Sequence, residues 1–268
     1  MKRRTRIGSI ILSVMATVLL AAGESAADWQ LYFTAGLGIS GADVDTDGVV
    51  NTTPPVSLSG MDNDSSPLLS GAFGIQIPMD ELVPREWLPD FRLPSWPVRF
   101  ELEAAGLREY EFGTIAAGET LFTELTTTTV FLNSSVDIPL VSLYKPVQYM
   151  FGVGRQPRVR RWLEPASFYI LTGIGIGLSD FDGTSNVIDV EDDILDFAWN
   201  AGAGVNYALT ERVTVGAGYR YVGLGDQTID AISNTPSTGG DEIDFEPNVH
   251  ELRIDFRILF FDFRSPWR

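Results

Sequence analysis

The sequence has no cysteine and, among 268 residues, a single histidine, His250. The first absence excludes disulfide scaffolds, thiol nucleophiles and cysteine-based metal sites. The second excludes a metal centre built on several imidazoles. Bases are scarce: 19 Lys and Arg stand against 36 Asp and Glu, for a net charge of −17. Such a polyanion is poorly suited by charge to nucleic acid or to anionic lipid headgroups. Beyond the N-terminal stretch, no apolar run approaches the ~18 residues that a membrane helix needs. If the mature chain lies in a membrane, it must cross as a closed sheet, because lipid cannot satisfy open backbone groups.

The N-terminus reads as a secretory signal peptide over residues 1–27. Lys2, Arg3, Arg4 and Arg6 form a basic start, Ile7 to Ala22 is largely apolar, and Ser25-Ala26-Ala27 supplies small residues for cleavage. Removing it leaves one domain, 28–268, more acidic than the whole.

From Trp29 onward the pattern has a period of two, the strand period. In 29–40, Leu31, Phe33, Ala35, Leu37 and Ile39 alternate with Tyr32, Thr34, Gly36, Gly38 and Ser40. Similar segments occur at 69–77, 98–106, 128–138, 168–178, 197–207, 213–221 and 251–260. These are eight strands of about the 9–11 residues that cross a bilayer at a tilt. In each, one face is aliphatic or aromatic, and the other is largely Gly, Ala, Ser and Asn with a few charges. Glycine weakens an exposed strand, but it suits the crowded centre of a small barrel. The apolar face is therefore expected toward lipid. A soluble barrel with its apolar face inward is the alternative. Trp29, Trp96, Tyr169, Tyr207, Tyr221 and Phe260, near strand ends, are expected in interfacial girdles.

The fold expected is thus all-β: a closed antiparallel eight-stranded transmembrane β-barrel. A ten-stranded barrel would require two further strands. The tight turn at 207–212 marks the periplasmic side, since outer-membrane barrels keep short turns there. Parity then places 41–67, 107–120, 179–195 and 223–248 outside as polar, mostly acidic loops. The long connections 78–97 and 139–166, rich in Pro, Lys and Arg, are expected along the inner leaflet.

Several stretches resemble the small outer-membrane barrels of the OmpA-like and opacity-protein type. They are Arg99–Glu103 (RFELE), Thr172–Gly177 (TGIGIG), Phe197–Tyr207 (FAWNAGAGVNY) and Val213–Tyr221 (VTVGAGYRY). The resemblance implies an eight-stranded barrel in the outer membrane with both termini periplasmic. It also implies contact with outer-membrane lipid and lipopolysaccharide, and handling by the barrel assembly machinery.

Two constellations could carry chemistry. Arg99, Glu101, Glu103, Asp137, Arg220, Glu251, Arg253, Asp255 and Arg257 all fall on the inward face. Lone buried charges are costly, so these must pair or meet water. An internal salt-bridge network that plugs or narrows the barrel is expected, with Glu101 and Glu103 reaching bases on other strands only across the lumen. A pore gated by such a pair is the functional alternative. The second constellation, Asp43-Val-Asp45-Thr-Asp47-Gly48, matches the opening of a calcium loop, but Pro54 stands where the bidentate Glu belongs. A solvated acidic loop is the default there and a divalent site the alternative; no other cofactor is expected. No Ser neighbours His250 in sequence, so a lipid-modifying hydrolase is disfavoured. The function expected is a non-enzymatic surface protein whose acidic loops meet a host, ligand or envelope partner. A narrow channel is the second reading.

Overall fold

A computed structural model describes residues 29–50, 56–82, 93–116, 119–144, 157–184, 188–230, 232–233 and 242–262. The signal-peptide reading lies outside them, as do parts of the connections 78–97 and 139–166. Seven strands follow in order: β1 (Gln30–Val50), β2 (Val56–Pro78), β3 (Pro97–Ala116), β4 (Glu119–Pro139), β5 (Ala166–Thr184), β6 (Ile188–Ala208) and β7 (Val213–Gly223). The short β8 (Gln227–Asp230) and β9 (Ile232–Ser233) precede the long β10 (Glu242–Asp262). Neighbours pair antiparallel, and β10 pairs with both β7 and β1, which closes the sheet.

The ring has eight positions. β7 ends opposite Asn248 of β10, and β8 resumes the same path opposite Phe245. β9 continues along β6. The seventh strand is therefore interrupted, with Gly225 at the break in the left-handed conformation (φ 78°) that glycine adopts freely.

The membrane belt is inside-out relative to a soluble barrel. Leu37, Ile39, Phe73, Ile170, Ile174, Phe197 and Phe256 are exposed, while Arg99, Glu103, Asn133, Asn200 and Glu251 are buried. Glycine lets the narrow interior close: a methyl group on Gly218 or Gly204 would collide with the Tyr169 ring, and one on Gly74 with Tyr32. Tyr169 itself lies inside the ring, under the Arg99 guanidinium at 5.5 Å, and not in a girdle. Its strand parity, between Phe168 and Ile170, turns it inward.

The strands are far longer than the belt. Most have about 20 residues, roughly twice the 9–11 needed to cross a bilayer. The segments 41–67, 107–120, 179–195 and 223–248, expected as irregular loops, are instead largely strand. Within these segments, residues 51–55, 117–118, 185–187, 231 and 234–241 lie outside the described residues.

β10 shows what this extension is. From Ile258 to Leu252 its outward residues are Ile258, Phe256, Ile254 and Leu252, and its inward ones Arg257, Asp255, Arg253 and Glu251. Beyond that point the outward residues are His250, Asn248, Glu246 and Asp244, and the inward ones Val249, Pro247, Phe245 and Ile243. The strand continues while its polarity reverses. Above the belt the barrel has a soluble protein's arrangement. Val44, Tyr110, Phe112, Leu125, Phe181, Leu224, Phe245 and others form one buried apolar cluster inside the ring.

On the opposite rim, α1 (Met79–Leu82), a helical turn over 140–144 and α2 (Pro157–Leu163) occupy the described parts of the long connections.

Candidate functional site

Alternation on four strands aims the charges at one another. Arg99, Glu101 and Glu103 alternate along β3, and Glu251, Arg253, Asp255 and Arg257 along β10. Asp137 comes from β4 and Arg220 from β7. The structure joins all nine into two clusters. In the first, Glu103 pairs across the lumen with Arg220 at 2.9 Å and Arg253 at 2.7 Å. Arg220 also reaches Glu251 at 2.7 Å, and Arg253 reaches Asp255 at 3.1 Å. In the second, Asp137 pairs with Arg99 at 3.0 Å and Arg257 at 3.4 Å, and Arg99 with Glu101 at 2.9 Å. Glu101 thus meets its base, Arg99, on its own strand. Tyr32, from β1, donates to the same Glu101 oxygen at 2.8 Å.

One member was hidden from the sequence reading. Arg108, assigned there to an outer loop, is fully buried and pairs with Glu251. A bulge between Ala105 and Arg108 sets two β3 residues against one on β4, and it puts Leu107 in the left-handed region (φ 63°). The shift turns Arg108 inward. With it the first cluster holds three guanidiniums and three carboxylates, and the second holds two of each. Each cluster is neutral, which is how so much charge is tolerated away from bulk water. Asn133 donates to Glu103 at 2.8 Å and Asn206 to Asp137 at 3.1 Å, meeting further carboxylate lone pairs.

Little space remains between the clusters. The void lined by Thr34, Ser70, Arg99, Arg220 and Arg253 has about 40 Å³, room for a few waters at the ~10–15 Å³ that one needs. A wider vestibule of about 270 Å³, lined by Gln30, Gln76, Asp137, Arg212 and Arg257, opens on the rim that carries the termini. On the other side the apolar cluster sits directly above Glu251.

Asp43, Asp45 and Asp47, expected as the opening of a calcium loop, lie on the continuous strand β1, in register with Asn248, Glu246 and Asp244 of β10. A calcium loop wraps its backbone around the ion, whereas this strand is extended. Among the described residues no group of three His, Cys, Asp or Glu is placed to hold a metal. His250 faces outward where the belt ends. Its Nδ1 lies 2.5 Å from the Tyr219 hydroxyl and its Nε2 3.6 Å from Asp43. Its ring packs edge-on to Tyr221, which contacts Trp199, so an aromatic patch marks this edge of the belt.

A closed antiparallel ring with apolar residues outside and a neutral ionic interior defines a transmembrane β-barrel. The model of the family described as "Outer membrane protein beta-barrel domain" matches residues 12–253, and the chain belongs to that family. It is accordingly an outer-membrane protein. Among solved structures it is similar to Neisserial surface protein A, at 14% identity over 86% of this chain and 97% of that one, with a TM-score of 0.40. It is also similar to the outer membrane protein OprG of Pseudomonas aeruginosa, at 14% identity over 88% and 99%, with a TM-score of 0.46. The attachment invasion locus protein Ail of Yersinia pestis aligns at 12% identity over 85% and 99%, with a TM-score of 0.35. No curated protein matches the chain.

Proposed function

We propose that this protein is a sealed anchor that carries a rigid acidic surface outside the cell, for contact with a cationic ligand or partner. The supporting observation is the filled interior. The neutral charge network occupies the belt, and the apolar cluster occupies the ring above it. An ion on the axis would have to break the first and dehydrate through the second.

The surface is a correction to the expected loops: it is a β-extension, not flexible chain. Asp43, Asp45, Glu109, Glu111, Glu124, Asp180, Asp182, Asp193, Asp244 and Glu246 all point outward and are exposed. Within 41–67, 107–127, 179–196 and 223–250 the only Lys or Arg is Arg108, which is buried inside. The exterior of the extension therefore presents one sign of charge.

In planar bilayers the purified protein is expected to be electrically silent, and steady single-channel conductance would favour the channel reading. Orientation has its own check. The sequence has no cysteine, so Asp180→Cys provides a unique thiol. A membrane-impermeant maleimide should label it on intact cells, and labelling only after cell breakage would reverse the topology.

A further inference from the structure

On the rim that carries the termini, helix α2 runs against the chain's overall charge. It bears Arg158, Arg160 and Arg161, all exposed, and no acidic residue, and Glu164 just beyond it pairs with Arg160 at 3.0 Å. Beside them Trp162 is 71% exposed. Residues three apart share a helix face, so Val159 and Trp162 make an apolar stripe next to a basic one formed by Arg158 and Arg161. The helix enters β5 through a turn at 164–165, so it sits just past the end of a strand whose outward Ile170 and Ile174 belong to the belt. On neighbouring connections of the same rim, Leu143 and Leu209 are also exposed. An indole and leucines on the level where lipid meets water, with guanidiniums beside them, match an interfacial segment. The apolar groups enter the acyl boundary and the bases meet headgroup phosphates.

We propose that this rim, centred on α2, binds the phosphates of anionic phospholipids in the adjoining leaflet. The inference rests on the belt being embedded in a bilayer, and not on which end faces outward. The carboxylates of the β-extension stand at the far end of the barrel, beyond the ~10 Å over which charge acts at 0.1 M salt. Of the rim's own carboxylates, Glu164 is held by Arg160 and Asp80, Glu81, Glu211 and Asp262 lie on other segments, which leaves Arg158 and Arg161 to face headgroups.

The test uses the intact mature protein in detergent, offered phosphatidylglycerol or phosphatidylcholine, with retained lipid counted by native mass spectrometry. The parent should retain phosphatidylglycerol in preference, and the preference should shrink at high salt. Each surface arginine contributes about fivefold, so Arg158→Gln, Arg160→Gln and Arg161→Gln together should lower phosphatidylglycerol retention at least tenfold while phosphatidylcholine is unchanged. Trp162→Ala should lower retention of both lipids alike. Equal retention of the two lipids by the parent, or an undiminished preference in the triple variant, overturns the proposal. Failure of the parent to enter vesicles of any composition would instead count against the embedded belt itself.

Discussion

Arg108 and Glu251, 143 positions apart in sequence, form an ion pair wholly shielded from solvent where the interior changes from charged to apolar. Glu251 also holds Arg220 at 2.7 Å, so the two partners are not equivalent. Glu251→Gln strips a carboxylate from two guanidiniums and should destabilise the barrel by about 3–5 kcal/mol, the range for breaking a buried pair. Arg108→Met leaves Glu251 with Arg220 and should cost less. The double variant should cost less than the sum of the two, because the groups left uncompensated by each single change disappear together. Urea unfolding followed by heat-modifiable gel migration measures all four proteins. Strict additivity would mean that the contact carries no coupling.

In the sealed anchor proposed above, two barriers of different chemistry close the lumen, so opening it should require both to be removed. Phe181 and Phe245, with ring centroids 5.1 Å apart, belong to the upper barrier. Glu103 and Arg220 belong to the lower one. Phe181→Ala with Phe245→Ala should leave the protein silent in a bilayer, and so should Glu103→Ala with Arg220→Ala. The four changes together should produce conductance. Current through either double variant alone would show that one barrier does all the sealing.

The extension sets like charges directly opposite one another. Asp180 faces Asp193, Asp45 faces Glu246, and Glu124 lies between Glu111 and Asp182. Paired strands are only ~4.8 Å apart, and like charges in that register are destabilising by roughly 0.2–1 kcal/mol each. Salt should therefore strengthen the outer half, the reverse of its effect on surface ion pairs. Limited proteolysis of the folded protein should slow as sodium chloride rises. Asp180→Asn with Asp193→Asn should flatten that dependence. A rate that does not respond to salt would contradict the repulsion.

The belt was legible because lipid and lumen impose opposite chemistry on alternate residues. The spacing of Leu31 to Ile39 or Leu252 to Phe260 therefore gave both strand and face. The same parity put the charges of β3 and β10 inside. The outer half was missed for a physical reason. Along β10 from Ile258 back to Ile243 the period of two does not break, but the apolar parity switches between Val249 and Leu252, across His250 and Glu251. That switch is the passage from lipid to water outside the barrel, and in a linear pattern it looks like the end of a strand. Asp43, Asp45 and Asp47 were read as a loop for the same reason. Arg108 was lost to a bulge, which no alternation rule anticipates.

That bulge is the smallest feature on which the outer half depends. Leu107 stands at φ 63° with its side chain 65% exposed, a backbone state that costs a non-glycine residue about 1–2 kcal/mol. Ser66 on β2 secures it, accepting from the Glu109 amide at 2.9 Å and donating to the Leu107 carbonyl at 3.3 Å. Leu107→Gly should hold or raise stability, because it removes the strain and little packing is lost. Ser66→Ala should lower stability by about 1–3 kcal/mol, the cost of a buried polar group left unsatisfied. Deleting Leu107 alone leaves Arg108 two positions beyond Ala105, so Arg108, Tyr110 and Phe112 keep their inward parity and the strand loses only its bulge. Deleting Gly106 and Leu107 together should be far worse, because Arg108, Tyr110 and Phe112 then turn outward while Glu109 and Glu111 enter the apolar cluster. The double deletion should abolish heat-modifiable migration or leave the outer half open to protease. A folded, protease-resistant double-deletion variant would show that inward parity does not hold the outer half together.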